Sequence, residues 1–279
     1  MFVLKAKPVA DQIYASIIER IRNLACRSPA FAIIQIGDNL ESNVYISKKK
    51  QTAEQIGIKC EHYKFDYDVS FELLKKLVQN LNENNEIDGI IIQFPLPENF
   101  KSLINLIDPE KDIDALGEIQ QGKMFAGENG FISCTAQGIL MLLNYYQINL
   151  EGKNAIVVGR SNLVGKPLAL LLLQSNASVT ILHSKSIDMQ QHVQRADIVF
   201  LCCGISNFLK KDWLTSNSIV IDVGITKKNG KIYGDLDQES YQYIKAYSPV
   251  PGGIGLMTVA ALMNNVVTAY EKQLKGKCS

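Results

Sequence analysis

The chain has 279 residues, more than one hydrophobic core usually organises, so two domains of ordinary size are expected rather than one large one. With 47% apolar and 20% charged residues it can bury a sizeable core and lacks the composition of a disordered segment. Lys plus Arg (29) and Asp plus Glu (28) leave a net charge of +1, without the cationic excess of a nucleic-acid binder, and favour a small-molecule ligand.

The opening "MFVLKAKPVA" has no cationic segment followed by an apolar run, and nowhere does the sequence hold ~18 consecutive apolar residues, so no membrane association and a cytoplasmic location are expected. Strand-length apolar runs follow in order, "FAIIQIG", "GIIIQF", "AIVVG", "SVTILH", "DIVFLCC" and "SIVIDVG", separated by helical patterns. This alternation predicts an α/β protein, with parallel sheets covered by helices on both faces. In "NVYISKKKQTAEQIG", positions 45, 49, 53 and 56 share one helix face, and in "FELLKKLVQNLN" Leu73, Leu74, Leu77 and Leu81 repeat at helical spacing. Apolar periodicity fades between Asp108 and Gly130 and returns in "TAQGILMLLNYYQI", which marks the domain boundary. The expected division is 1–136 and 137–257, with a final helix from about Thr258 (258–279) packing back on the first domain. The six cysteines, Cys26, Cys60, Cys134, Cys202, Cys203 and Cys278, contain no CxxC pair and are expected as free thiols. The three histidines have no ligand spacing, and no metal is expected.

After the strand "AIVV" comes "GRSNLVGKP", with Gly159, Ser161, Gly165 and Pro167. A strand, a tight turn and a helix start can seat a pyrophosphate on free backbone N–H groups at the positive helix end. The spacing departs from the usual dinucleotide fingerprint, since Ser161 holds the second glycine position and Gly165 falls one residue late, so a purely structural turn stays open. The next strand ends in His183, Ser184, Lys185 and Ser186 instead of an acid. With Arg160, these cationic and hydroxyl groups suit the 2′-phosphate of NADP rather than the bare ribose of NAD; a solvated polar loop is the alternative. Gly204, after "CC", lacks a side chain where a cofactor could lie on backbone. "SPVPGGIGLMT" (248–258) is stiff at its prolines and allows close approach at its glycines. In the other half, Gln93 ends a strand before Pro95 and Pro97, and Asp112 and Asp114 lie in a loop.

Together "GDNLESNVYISKKK", "IIIQFPLP", "PEKDIDA", "SCTAQG", "GRSNLVGKPLA", "HSKS", "VIDVGI", "YGDL" and "PVPGGIGLMTVA" resemble, in order and along nearly the whole chain, the bifunctional methylenetetrahydrofolate dehydrogenase/methenyltetrahydrofolate cyclohydrolase family. The resemblance implies an N-terminal α/β catalytic domain and a Rossmann-like doubly wound NADP-binding domain flanking a cleft, and a homodimer. It implies NADP-linked oxidation of methylenetetrahydrofolate and hydrolysis of the methenyl product to 10-formyltetrahydrofolate, within one-carbon metabolism and purine biosynthesis. The family's catalytic lysine falls on Lys49. Tyr45, four residues earlier and on the same helix face, would stack on the folate, while Lys48 and Lys50 point about 100° to either side. Gln93 would orient the Lys49 amine, and burial would favour proton exchange with water attacking the methenyl carbon. Asp114 matches the pterin-binding carboxylate, and Asp112 is expected to be structural. Pro251, Gly252 and Gly253 complete the substrate side. The cofactor set becomes Gly159, Arg160, Ser161, Val164, Gly165, His183, Ser184, Gly204, Ile225 and Thr258. Departures from the family pattern are Ala115 in place of Gly, and Ser133, Ala136 and Leu256 in place of Pro. Ala115 would be strained if its φ is positive, and the lost prolines should loosen the local backbone. Two other readings remain open: an NADP-dependent dehydrogenase of another small substrate, and a non-catalytic NADP-sensing module.

Overall fold

The computed structural model describes residues 1–24, 26–228 and 230–277; Cys278 lies outside the described residues. In chain order the elements are β1 (Phe2–Val3), α1 (Ala6–Leu24), β2 (Ala30–Ile36), α2 (Leu40–Gln55), β3 (Lys59–Phe65), α3 (Phe71–Glu83), β4 (Gly89–Ile92), a 3-10 segment (Glu98–Leu106), α4 (Glu118–Ala126), α5 (Cys134–Tyr145), β5 (Asn154–Val158), α6 (Gly165–Gln174), β6 (Ser178–Leu182), α7 (Met189–Gln194), β7 (Ile198–Leu201), β8 (Ile219–Asp222), β9 (Thr226–Lys228), β10 (Lys231–Tyr233), β11 (Ala246–Tyr247) and α8 (Ile254–Lys277). They form two compact units. One contains Gln12–Cys134 and the chain from Val259 onward; the other contains Met1–Asp11 and Thr135–Thr258.

In the first unit, β3, β2 and β4 form a parallel sheet with β2 in the middle. All seven residues of β2 are buried and all but Gln35 are apolar, so the strand packs on both faces and shows no alternation. On α3, Leu74, Val78 and Leu81 face this sheet's core at helical spacing, and Ser70 Oγ caps the helix by accepting from Leu73 N at 3.3 Å. Cutting Leu74 to Ala would remove a fully buried side chain at a cost of about 2–5 kcal/mol. Strand β3, "KCEHYKF", was not among the expected strands: as a sheet edge it is half exposed and carries Lys59, Glu61 and Lys64 in place of an apolar run. The C-terminal part of α8 joins this unit. Arg20 donates to Glu271, Asn264 and Thr268, and the fully buried Tyr270 donates to Arg27 O.

The second unit holds a six-stranded sheet in the order β1-β11-β8-β7-β5-β6, parallel throughout. Its first strand comes from Met1–Asp11, residues that the sequence division placed with the first domain. Phe2 and Val3 pair with Ala246 and Tyr247, and Tyr146 donates to Lys5 O; a two-residue strand held by partners distant in sequence leaves no periodic signal. Strand β5 has β6 on one side and β7 on the other, so chain order reverses there, and in open parallel sheets such a reversal leaves a crevice at the carboxyl ends of the strands where a ligand can sit. Among the described residues no helix is long and apolar enough to cross a membrane.

Candidate active site

Asn39 caps α2, its Oδ1 accepting from the N–H groups of Glu41 and Ser42, and so sets the start of the helix that carries Tyr45 and Lys49. Lys49 is 8% exposed, whereas Lys48 and Lys50 are exposed on either side. Its Nζ donates to Gln93 Oε1 at 2.9 Å. Gln93 in turn donates from Nε2 to Phe94 O at 2.8 Å, and the same carbonyl accepts from the Ser42 hydroxyl at 3.0 Å. The amide orientation is therefore fixed by its neighbours, with its oxygen toward the amine. Sequence reasoning did not single out Ser42; a small hydroxyl on the buried face of α2 was the available signal. Tyr45 is half-buried one helical turn before Lys49, and burial, with Glu41 second, pushes its hydroxyl pKa up.

The loop after β4 runs back past that strand, with Ile90 bridged to Asp112. Asp112 accepts from Gly117 N at 2.8 Å and from Leu116 N at 3.4 Å, and burial holds its carboxyl up at about 6 despite these donors. It therefore folds the loop that presents Asp114, which is half-buried. Ala115 adopts φ +55°, the left-handed region expected to strain a residue with a Cβ. The Cys134 thiol donates to Ile113 O at 3.4 Å; burial first and Asp114 second raise it well above its usual range, while Lys49 acts in the opposite direction. Lys49, Gln93, Asp114 and Cys134 thus belong to one neighbourhood of the first unit, in which the thiol stays neutral.

In the second unit the turn after β5 starts at Gly159, with φ +131° and its N–H on Leu182 O. A Cβ on Gly159 would lie 2.5 Å from Cys202 O, and one on Gly165 would lie 2.3 Å from Gly159 O, so both glycines are needed for close packing of strand, turn and helix. The helix start differs from the expected row of free N–H groups. Val164 N and Gly165 N donate to Ser161 Oγ at 3.2 and 3.4 Å, and Lys166 N donates to Ser161 O. Ser161 fills the helix end itself, and its own O–H remains to donate to an anion. Register pairs Val158 with both Leu182 and Leu201, which brings the exposed Arg160, Ser184 and Gly204 and the half-buried His183 to one edge of the sheet. His183 and Ser186 close their turn through Ser186 N to His183 O, His183 N to Ser186 Oγ and Lys185 N to His183 Nδ1. Gly204 has φ +67° and accepts from Thr226 Oγ1 at 3.3 Å, beside the exposed Ile225.

Farther along, Pro251 and Gly252 are exposed, and Gly252 has φ +100°. A Cβ on Gly253 would lie 2.4 Å from Pro249 O. The Thr258 hydroxyl donates to Ile254 O and lies 3.2 Å from Thr135 Oγ1. Leu256 N donates to Gly253 O at 3.0 Å, a bond proline could not make. The expected loosening at Leu256 is thus offset by a hydrogen bond in the first turn of α8.

Residues 4–114 match the catalytic domain, and residues 133–274 the NAD(P)-binding domain, of tetrahydrofolate dehydrogenase/cyclohydrolase. The chain belongs to the tetrahydrofolate dehydrogenase/cyclohydrolase family. The bifunctional protein FolD of Maridesulfovibrio salexigens is 39% identical over 98% of this chain and 99% of its own length. The bifunctional FolD enzyme of Campylobacter jejuni has a crystal structure similar to this one, with a TM-score of 0.95, 34% identity and coverage of 98% of this chain and 99% of its own. The Trypanosoma brucei methylenetetrahydrofolate dehydrogenase-cyclohydrolase, solved with NADP and an inhibitor, gives a TM-score of 0.93 at 29% identity, covering 98% of each chain.

Proposed function

We propose that the chain oxidises 5,10-methylenetetrahydrofolate to the methenyl form with NADP and hydrolyses that product to 10-formyltetrahydrofolate. Family membership over both domains supports the pair of reactions. The observation that carries the hydrolytic half is the shielded Lys49 amine held by Gln93 at 2.9 Å. In this reading 1–136 with 258–279 binds folate and 137–257 binds NADP.

The residues of the dinucleotide edge fit NADP: two glycines whose missing side chains allow close packing, a hydroxyl at the helix start, and Arg160 with Ser184 for a phosphate. NADP bound at this edge would supply the hydride acceptor for the methylene carbon, and the folate nitrogens would stabilise the resulting cation. The chain's work in this step is positioning: Tyr45 stacks on the folate rings, Asp114 accepts paired N–H donors from the pterin, and Pro251, Gly252 and Gly253 provide close backbone. In hydrolysis, water adds to the methenyl carbon and Lys49 takes its proton. The adduct's hydroxyl then gives up its proton as the carbon–N5 bond breaks and N5 gains one, so the formyl group remains on N10 and the net proton released is the one Lys49 took. Gln93 holds the amine toward the reacting carbon and, with Phe94 O and Ser42, keeps it from turning away.

A homodimer in the cytoplasm, serving one-carbon metabolism and purine biosynthesis, completes the proposal on the strength of the family resemblance. Following the absorbance of the methenyl species with NADP and then with NAD tests the reading. Formation and decay with NADP is the expected result. Reduced cofactor without any methenyl intermediate or formyl product would sink it.

A further inference from the structure

Two carboxylates in the second unit, Asp222 and Asp235, are both 0% exposed, and among the described residues neither is paired with a cation. Backbone N–H groups take the place of counter-ions. Asp222, at the end of β8, accepts from Gly224 N at 3.1 Å and Asp235 N at 3.0 Å on Oδ1, and from Leu236 N at 2.9 Å on Oδ2. Asp235 accepts on Oδ2 from Cys203 N and Gly204 N, both at 2.9 Å, and from the Cys203 thiol at 3.2 Å. Its Oδ1 has no hydrogen-bond partner. Two glycines make the space. A Cβ on Gly224 would lie 2.0 Å from Asp235 Oδ1, and one on Gly234 would lie 2.0 Å from Asp222 Oδ2.

The direction of this relay is informative. Asp222 fixes the backbone of residues 235 and 236, and that backbone aims Asp235 at two successive N–H groups of the turn after β7. The turn needs fixing, because Gly204 sits at φ +67° and an unrestrained glycine visits many conformations. A buried, half-satisfied carboxylate is an expensive way to hold a turn that serves no purpose. Burial pushes the Asp222 carboxyl up to about 7, with Asp235's charge adding to it. The same burial, with Asp235 second, lifts the Cys203 thiol to about 12, which keeps it a donor.

We propose that Asp235 is the positioning residue of the cofactor turn: held by Asp222, it sets the Cys203–Gly204 backbone on which NADP lies. This rests on the placement of NADP at Gly204. The two activities separate it from a merely structural role, since hydrolysis of added methenyl substrate consumes no NADP. With Asp235→Asn, NADPH affinity, read by fluorescence titration, should fall about tenfold, in keeping with the loss of charge-assisted hydrogen bonds. Dehydrogenase KM for NADP should rise in parallel, kcat should change less than about threefold, and methenyl hydrolysis should stay within about twofold. Cys203→Ala, which removes only the thiol donor, should weaken NADPH by about two- to threefold, and it serves if the Asn variant does not fold. Gly204→Val is the control. If Gly204→Val weakens NADPH while Asp235→Asn and Cys203→Ala do not, the positioning role is wrong and the cofactor site stands. If none of the three changes NADPH binding, the placement of NADP on this turn has failed. Equal loss of both activities together with a lower melting temperature would make Asp235 structural and overturn the proposal.

Discussion

Gly165→Ala tests the dinucleotide turn with the smallest possible change. The added methyl would meet Gly159 O at 2.3 Å, Gly159 C at 2.7 Å and Arg160 N at 3.0 Å, all backbone atoms. The shortest of these is roughly 1 Å inside ordinary van der Waals contact. Neither partner can rotate away, and α6 cannot simply retreat, since Leu168, Leu171 and Leu172 are buried beneath it. Overpacking of this kind costs about 1–3 kcal/mol. If the turn opens to relieve it, the loss appears in cofactor affinity as about a fivefold to 150-fold weaker NADPH. The assay is NADPH titration beside two rates, NADP-linked oxidation and NADP-independent methenyl hydrolysis. Affinity should fall while hydrolysis persists. Unchanged NADPH affinity in a variant that remains folded would refute the assignment of this turn to the dinucleotide.

The Asp222 carboxyl is raised from 3.8 to about 7 in the folded chain, chiefly by burial. A raised folded pKa gives stability that is fully present below pH 4 and is lost as pH rises through 7, here on the order of 4 kcal/mol. Denaturant titrations at pH 5 and pH 8 should show a smaller pH dependence in Asp222→Asn than in the parent; equal dependence in both would contradict the burial argument. Ala115→Gly relieves the left-handed backbone at φ +55°, worth about 1–2 kcal/mol and partly offset by the freer unfolded glycine, so melting should rise by about 2 °C. A lower melting temperature would mean that Ala115 is not strained. Tyr45→Phe should keep folate KM within about threefold, whereas Tyr45→Ala should raise it by about tenfold or more, because the ring face and not the hydroxyl does the stacking. Equal effects in initial-rate measurements would reassign the contact to the hydroxyl.

The parallel sheets were readable because strands buried on both faces leave unbroken apolar runs, as in β4 and β7, and because helices such as α3 repeat their buried residues at helical spacing. Two of the edge strands, β3 and β1, were harder to read. Half-exposed β3 carries charge at 59, 61 and 64 without regular alternation, and β1 pairs with β11 through two residues, so neither leaves a periodic signature. The site shows the same division. The helix period already set Lys49 apart from Lys48 and Lys50, since only Lys49 shares the face of Tyr45. Tertiary partners carry no such period: the Phe94 carbonyl shared by Ser42 and Gln93, and the Asp222 to Asp235 relay, depend on loops that meet only in the folded chain. The Ser161 cap also replaced the expected free N–H groups, because a short hydroxyl at the second glycine position competes for the same donors.

The most direct test is Lys49→Met, a change that keeps the buried stem and removes the amine from Gln93 Oε1. Hydrolysis of added methenyltetrahydrofolate, followed by loss of its absorbance, should fall by a factor of about 100 or more, in line with removal of a general base, while NADPH affinity stays unchanged. Hydrolysis at the parent rate in a folded variant would contradict the account.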